Sequence, residues 1–346
     1  SAYGVSGPLH MWIAAFLRDR VQDLRIENCL SPTVCVRSGV PQGSVLGPIL
    51  FILYINDVTD ILVDDVSCKL YADDLKLYCP IVPTLGFSES LQTSLDNLCD
   101  WSLKWQLPIN VDKSFFVTIS RNNICNCVHS YRILCSLLTR RFSVDDLGIA
   151  YDCNLCFDNY VNNIASSAKA KVGLLFRSFK TRDPALLKRA YVTYIRPKLE
   201  YASNLWNPFH KTTIAVLENV QRYFTRRIPS LSIFSYEERL AMLNLDTLEK
   251  RRLKSDLVLY YKILHGLSSI PASAFDTYNT CSVSRSKSSL LRKNIAGTQA
   301  CYFSFFNRAV DCWNVLPSSL TDASSLSVFR SRLDMTDLSH YCTVLA

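Results

Sequence analysis

No stretch of this 346-residue chain is apolar for long enough to cross a membrane as a helix. The longest such run, Ile49 to Ile55, is far short of the ~20 residues a span needs. Histidine is scarce: five scattered copies show no metal-ligand pattern and read as surface or satisfied core residues. Cysteine is not scarce, at fourteen, but what it lacks is spacing. Cys125-Asn126-Cys127 and Cys153-Asn154-Leu155-Cys156 have no second pair at zinc-finger distance, so no zinc is expected. With no secretory signal pattern, the thiols are expected to be reduced and the protein intracellular, in nucleus and/or cytoplasm. No internal repeat is visible. Glycine is sparse too, yet three of the ten glycines fall between positions 39 and 47.

What is present begins with Tyr71-Ala72-Asp73-Asp74. Val66, Cys68 and Leu70 alternate on one side of this tetrapeptide and Leu75 and Leu77 on the other, the period of a β-hairpin with the acids at its tip. Adjacent carboxylates repel, and a divalent cation relieves that repulsion. Mg²⁺ suits such a pair, because it takes one or two carboxylates together with water and phosphate oxygens. An acidic turn without a ligand is the other reading of these four residues.

Upstream, Ser38-Gly39-Val40-Pro41-Gln42-Gly43-Ser44-Val45-Leu46-Gly47-Pro48 leads into Ile49-Leu50-Phe51-Ile52-Leu53-Tyr54-Ile55-Asn56-Asp57. Gly39 and Gly43 let backbone approach a ligand such as a nucleotide, and Pro48 suits the first turn of a helix. That helix is apolar nearly all round and is expected to be buried beneath the hairpin.

Charge divides the chain. Residues 1–158 carry 12 Lys+Arg against 17 Asp+Glu, a net of −5, and residues 159–346 carry 26 against 13, a net of +13. An acidic part joined to a basic nucleic-acid clamp fits this asymmetry. The periodicity changes at the same place. Tyr160, Ile164, Ala168, Val172, Leu175 and Phe179 recur at helical spacing behind a cap at Asp158 or Asn159. Lys169, Lys171, Arg177 and Lys180 fall mostly on the other face. Asp183-Pro184 opens a second helix, burying Leu187, Tyr191 and Tyr194. A third carries Leu217, Val220, Phe224 and Ile228, with Arg222, Arg226 and Arg227 exposed. Ser235-Tyr236-Glu237-Glu238 is a capping box ahead of Leu240, Leu243, Leu248 and Leu257. The Ser/Thr/Asn-rich stretch at about 268–300 reads as a loop or poorly ordered linker.

Taken together, the glycine-bearing loop and Tyr71-Ala72-Asp73-Asp74 resemble the B and C motifs of a reverse transcriptase of the non-LTR (LINE-type, jockey-like) retrotransposons. The resemblance continues along most of the chain. Trp101, Trp105, Asn110 and Lys113 resemble the D motif, and Asp146-Leu147-Gly148-Ile149 with Asp152 the E motif, or primer grip. Arg196-Pro197-Lys198-Leu199-Glu200-Tyr201-Ala202-Ser203 and Glu218-Asn219-Val220-Gln221-Arg222 are similar to the thumb, and Trp313-Asn314-Val315-Leu316-Pro317 to the C-terminal segment.

The resemblance implies an α+β fold. It consists of a partial polymerase palm (1–158), with a small antiparallel sheet packed on helices, an all-helical thumb (159–235) and a helical C-terminal region (236–346). It implies RNA-directed DNA polymerisation with an RNA template, a DNA primer and dNTPs as partners, no membrane, and Mg²⁺ or alternatively Mn²⁺ as the metal. Asp73 and Asp74 are then the catalytic, metal-holding acids; Gly39, Pro41, Gln42 and Gly43 line the template and nucleotide; Lys113 neutralises phosphate; and Leu147, Gly148 and Ile149 hold the primer end. Lys169, Lys171, Arg177, Lys180, Arg222, Arg226 and Arg227 are the expected contacts to the nucleic-acid backbone. Two-metal transfer needs a third carboxylate, on the family's A motif. Asp19, Asp23 and Glu27 do not fit that role, so the expectation is a truncated polymerase, inactive alone, with a non-catalytic nucleic-acid-binding remnant as the alternative.

Overall fold

The computed structural model describes residues 3–81, 87–120, 130–275, 290–293 and 297–343. They fall into two compact units, one of residues 1–116 and 124–141, the other chiefly of residues 142–346.

The first unit mixes helices with short strand pairs. Its helices are α1 (Gly7–Leu17), α2 (Gly47–Ile55) and α3 (Glu89–Trp105). α3 starts where the Ser88 side chain accepts the Leu91 N–H, and it stops at Gln106, which is left-handed at φ +54°. Its buried residues Ser94, Leu95, Leu98, Trp101 and Ser102 recur at helical spacing and form one stripe. The acidic hairpin pairs Ser67–Tyr71 with Asp74–Tyr78, antiparallel, in the register Leu70↔Leu75 and Tyr71↔Asp74. Leu70, Leu75 and Leu77 pack on a small core of Ile55, Val58, Leu98 and Trp101. A neighbouring cluster of Leu95, Cys99, Tyr131, Ile133 and Leu138 shares Leu77 with it.

α2 departs from its expected burial. Only Gly47 and Ile55 are buried, and Ile49 and Ile52 are each 54% exposed. A nine-residue helix presents one narrow side, here Phe51 and Ile55, to the core, and an apolar residue on its other sides stays in solvent whatever its hydropathy. The expected small antiparallel sheet is likewise split. Among the described residues every strand pairs with a single partner, and the ladder of Phe115–Phe116 with Thr139–Arg140 is parallel.

The second unit is mainly helical. It runs through α4 (Asp158–Ser178), α5 (Pro184–Tyr194), α6 (Arg196–Glu200), α7 (Ser203–Trp206), α8 (Lys211–Arg226), α9 (Tyr236–Leu243) and α10 (Leu248–Leu264). Then come the short α11 (Gln299–Tyr302), α12 (Phe305–Arg308), α13 (Val310–Val315) and α14 (Ser318–Thr321), and finally α15 (Leu326–Met335). Tyr160, Ile164, Ala168, Val172 and Leu175 of α4 are buried with Leu217, Val220 and Phe224 of α8 and with Ile228 just past its end. Tyr191 stacks on Phe224 with ring centroids 4.3 Å apart, an arrangement worth ~1 kcal/mol beyond the area it removes from water. A second core gathers Leu257, Tyr260, Tyr261, Val310, Trp313, Phe329 and Leu333.

Local signals match closely here. Asp183 caps α5 through the Leu186 N–H at 2.8 Å, with Pro184 in the first turn. Both halves of the capping box form, Ser235 Oγ with the Glu238 N–H and Glu238 Oε2 with the Ser235 N–H. Two details differ. Tyr194 is 65% exposed, because the chain turns at once and Ile195, 1% exposed, takes the inward place. Asp158 is the first helical residue rather than the cap, and its carboxylate accepts the Thr213 hydroxyl from α8 at 3.1 Å.

Of the stretch at 268–300, residues 276–289 and 294–296 lie outside the described residues. Its described parts are anchored rather than loose. Phe275 and Leu291 are buried in the second core, and Leu291 exchanges two backbone hydrogen bonds with the Asn314 amide at 3.0 and 2.8 Å.

Candidate functional site

Asp73 and Asp74 stand at the hairpin tip, both exposed, and neither carboxylate has a hydrogen bond or ion pair with another described residue. The two-residue turn is reached through Ala72 at φ +53°, a backbone region that costs a non-glycine residue ~1 kcal/mol or more. The tip is therefore a held, strained turn with two unneutralised acids. The core side of the hairpin carries Leu70, Leu75 and Leu77; the outer side carries Tyr71 at 67% and Tyr78 at 50% exposure, with Lys69 directly opposite Lys76.

The glycine-bearing loop precedes α2. Gly43 is left-handed at φ +77°, and a Cβ at Gly47 would lie 2.9 Å from both the Pro41 carbonyl oxygen and Ser44 Oγ. Ser44 closes the loop by donating to the Pro41 carbonyl at 2.7 Å and accepting the Gly47 N–H at 3.0 Å. The Gly39 carbonyl is held by the Arg20 guanidinium, while Gln42 projects into solvent and Pro41 is half-buried. α2 and the short turn that follows it, Asn56–Ile61, are tied to α3 by the two tryptophans. Trp101 Nε1 donates to Asp57 at 3.0 Å, and the Tyr54 ring meets Trp105 edge-on at 5.2 Å. The Trp residues of the D motif thus serve as scaffold in this unit. Lys113 is exposed at the end of a short turn whose N–H bonds to Asn110 Oδ1 at 3.1 Å.

In the second unit, Ser143–Asp146 pairs with Ile149–Asp152 around the turn Leu147-Gly148. The expected primer-grip trio is divided. Leu147 is 43% exposed, whereas Ile149 is 5% exposed and belongs to the helical core. Leu147 sits in the turn at φ +49°, whereas Ile149 is the first residue of the strand that packs on the helices. Tyr201, 54 positions along the chain and marked by no local pattern, donates its hydroxyl to the Leu147 carbonyl at 3.1 Å and steadies the tip. Asp152 Oδ1 accepts the N–H groups of Asn154 and Cys156 and closes the turn that follows. Since Ile149 anchors the hairpin to the helices, the packing division falls at 142, ahead of the motif boundary at 158.

The basic residues of the second unit do not form one row. Lys169 of α4 and Arg227 at the end of α8 meet over Tyr223, with Nζ 5.2 Å and Cζ 5.3 Å from the ring centroid. Arg227 also donates to the Tyr223 hydroxyl at 2.6 Å and lies 4.9 Å from Phe176. Sequence reasoning missed both aromatics, although Tyr223 stands four residues from Arg227. Arg177, Lys180 and Arg226 are exposed. Lys171, two residues beyond Lys169, lies ~160° around the helix from it, on another flank. Arg222 is half-buried rather than exposed, its guanidinium 4.3 Å over the Tyr236 ring.

Glu218-Asn219-Val220-Gln221-Arg222 is chiefly a structural knot. Glu218, 0% exposed, accepts the Tyr236 hydroxyl and the Leu248 N–H at 3.0 Å, joining α8 to α9 and to the start of α10. Gln221 accepts from the Tyr191 hydroxyl at 3.1 Å and donates to the Asp246 carbonyl at 3.0 Å. Burial raises the Glu218 carboxyl above its ordinary value of 4.5, against the lowering effect of the Tyr236 hydroxyl and Arg252.

Among the described residues no group of three or more His, Cys, Asp or Glu is placed to hold a metal ion, and no helix is long and apolar enough to cross a membrane. Cys125 and Cys127 lie outside the described residues; Cys156 contacts Asp158 at 3.6 Å.

Comparison with known proteins agrees with the motifs. Residues 2–159 match the family described as reverse transcriptase (RNA-dependent DNA polymerase). The RNA-directed DNA polymerase from mobile element jockey of Drosophila funebris is 27% identical over 233 residues, which are 65% of this chain and 25% of that protein. The probable RNA-directed DNA polymerase from transposon BS of Drosophila melanogaster is 25% identical over 255 residues, 70% of this chain and 28% of that protein. An uncharacterized protein of Caenorhabditis elegans is 32% identical over 126 residues, 36% of this chain and 64% of that protein. The chain spans about a quarter of the length of its jockey relatives. Over residues 2–159 the chain is thus similar to reverse transcriptases, and the jockey relatives it resembles are RNA-directed DNA polymerases of mobile elements.

Proposed function

We propose that this chain forms part of an RNA-directed DNA polymerase that adds dNTPs to a primer 3′-hydroxyl on an RNA template. Within it, residues 1–158 serve as palm, 159–235 as thumb and 236–346 as a C-terminal helical region. The observation that carries the reading is the pair of unneutralised carboxylates, Asp73 and Asp74, on a strained hairpin tip within the matched family segment. The intracellular location, in nucleus and/or cytoplasm, belongs to the same reading.

The donor set fits a hard divalent cation: two adjacent carboxylates, exposed and without competing protein partners among the described residues. Asp73 and Asp74 would hold Mg²⁺, or Mn²⁺ in its place, and when bound the ion supplies charge neutralisation at the reacting phosphate. The chain's own contribution is positioning. Gly39, Gln42 and Gly43, exposed beside the half-buried Pro41, offer an internally bonded loop edge to template and nucleotide, and Lys113 offers a cation to phosphate. Leu147 and Gly148, held by Tyr201, offer a hairpin tip to the primer end.

A nucleic-acid-binding remnant without catalysis is the second reading, favoured by the lack of a third carboxylate beside the pair among the described residues. Primer extension on an RNA template separates the two. The chain is assayed with and without the family's A-motif segment supplied on the same polypeptide. Extension is expected with that segment and is expected to vanish in Asp73→Asn. Extension that survives Asp73→Asn overturns the metal assignment, and none under any condition favours the remnant.

A further inference from the structure

Away from the Lys169–Arg227 surface, α8 borders a groove of about 230 Å³ whose lining includes Lys211, Asn219 and Arg222 of the helix and Thr343 from the end of the described chain. Lys211 and Arg222 have no acidic partner among the described residues. They stand three turns apart on one side of the helix, ~16 Å along its axis, a spacing too long for one phosphate and suited to several in a row. The groove also reaches Glu218, whose carboxylate is already engaged by the Tyr236 hydroxyl and the Leu248 N–H.

A second, separate observation lies at the start of the same helix. Phe209, just ahead of Lys211, stacks on Phe303 with centroids 4.1 Å apart and planes 1° apart. Tyr302 meets Phe303 edge-on at 4.9 Å and keeps 46% of its surface exposed, while Phe209 keeps 36%. Lys293 stands 5.4 Å from the Tyr302 ring centre. Lys293 is ion-paired with Asp311, so the cation without an acidic partner beside these rings is Lys211; open π-faces for bases and charge for phosphates are the two chemistries a single strand needs. Double-stranded backbone uses the charge alone.

We propose that Phe209, Tyr302, Lys211 and Arg222 form a track for a single-stranded segment of nucleic acid, with bases on the aromatic group and phosphates along α8. The track rests on the polymerase reading and adds to it a place where unpaired template or product runs, separate from the Lys169–Tyr223–Arg227 surface offered to paired strands. Arg226, exposed between the two flanks of α8, links them.

The test compares the whole chain, the double variant Lys211→Gln with Tyr302→Leu, the variant Phe209→Leu, and the control Lys169→Gln with Arg227→Gln. Each is titrated with an unstructured oligonucleotide carrying a fluorescent purine analogue and with an RNA–DNA hybrid. The track variants are expected to weaken single-strand binding about tenfold or more and to lose the stacking quench of the purine, with hybrid affinity within about twofold of the parent. The control is expected to show the reverse. Normal hybrid binding with unchanged single-strand binding in both track variants overturns the track and leaves the polymerase reading standing. A chain that binds neither probe overturns both, and binding of an acidic peptide in place of the oligonucleotide identifies the groove as a protein site.

Discussion

Arg308 grips Asp256 through two guanidinium nitrogens, Nε and Nη2, each 2.7 Å from a carboxylate oxygen, with the two side chains 11% and 1% exposed. Asn204 and Asn207 complete the shell around the carboxylate at 2.8 and 3.3 Å, and Arg308 also donates to the Asn204 carbonyl at 2.6 Å. One arginine on α12 thereby fastens α7 and the mid-section of α10 together.

Removing that arginine leaves a buried carboxylate without its counter-charge. Arg308→Ala is expected to destabilise the second unit by about 3–5 kcal/mol. Asp256→Asn, which keeps part of the hydrogen bonding, is expected to cost less. Urea unfolding followed by tryptophan fluorescence of Trp206 and Trp313 measures both, and a shift under about 1 kcal/mol for Arg308→Ala contradicts the pairing argument.

The buried Glu218 predicts a pH dependence. Its carboxyl pKa is raised in the folded chain, so the folded form keeps a proton that the unfolded form gives up. Stability from this group is therefore undiminished below about pH 4.5 and declines as pH rises from there through the raised value. Glu218→Gln is expected to flatten that decline. Unfolding midpoints from pH 4 to 8 check it, and parallel curves for parent and variant argue against the assignment.

Ala72 holds the acidic tip at positive φ. Ala72→Gly is expected to relieve the backbone while adding chain entropy, for a net gain of up to about 1 kcal/mol in hairpin stability. The looser turn is also expected to spread the positions of Asp73 and Asp74. Hydrogen exchange across the 67–78 ladder reads the first effect, and Mn²⁺ titration the second, as weaker binding.

The split among the basic residues makes a paired prediction for hybrid binding. Lys169→Glu, beside Tyr223 and Arg227, is expected to weaken it about tenfold at low salt, and Lys171→Glu by no more than about twofold. If about six cations contact phosphates, affinity falls by ~10³ or more between 50 and 200 mM salt. Equal losses at the two lysines place the surface elsewhere.

Much of this is legible in the sequence. The acidic hairpin, the Asp183-Pro184 start, the Ser235 capping box and the stripes of α4 and α8 depend on residues two to four positions apart, and a sequence displays such neighbours directly. The resemblance of the motifs to those of reverse transcriptases is legible in the same way, because it lies in particular side chains at short spacing.

Tertiary packing decided the rest. Whether α2 is buried, whether Tyr194 or Ile195 faces inward, whether Arg222 reaches solvent or lies on Tyr236, and whether Ile149 serves the hairpin tip or the core all turn on partners far along the chain. So does Glu218, whose motif looks like surface charge yet joins α8 to residues 18 and 30 positions away. Hydropathy and periodicity establish that a residue is able to be covered. Only the arrangement of distant elements determines what covers it, because burial belongs to the pair of surfaces that meet rather than to either one alone.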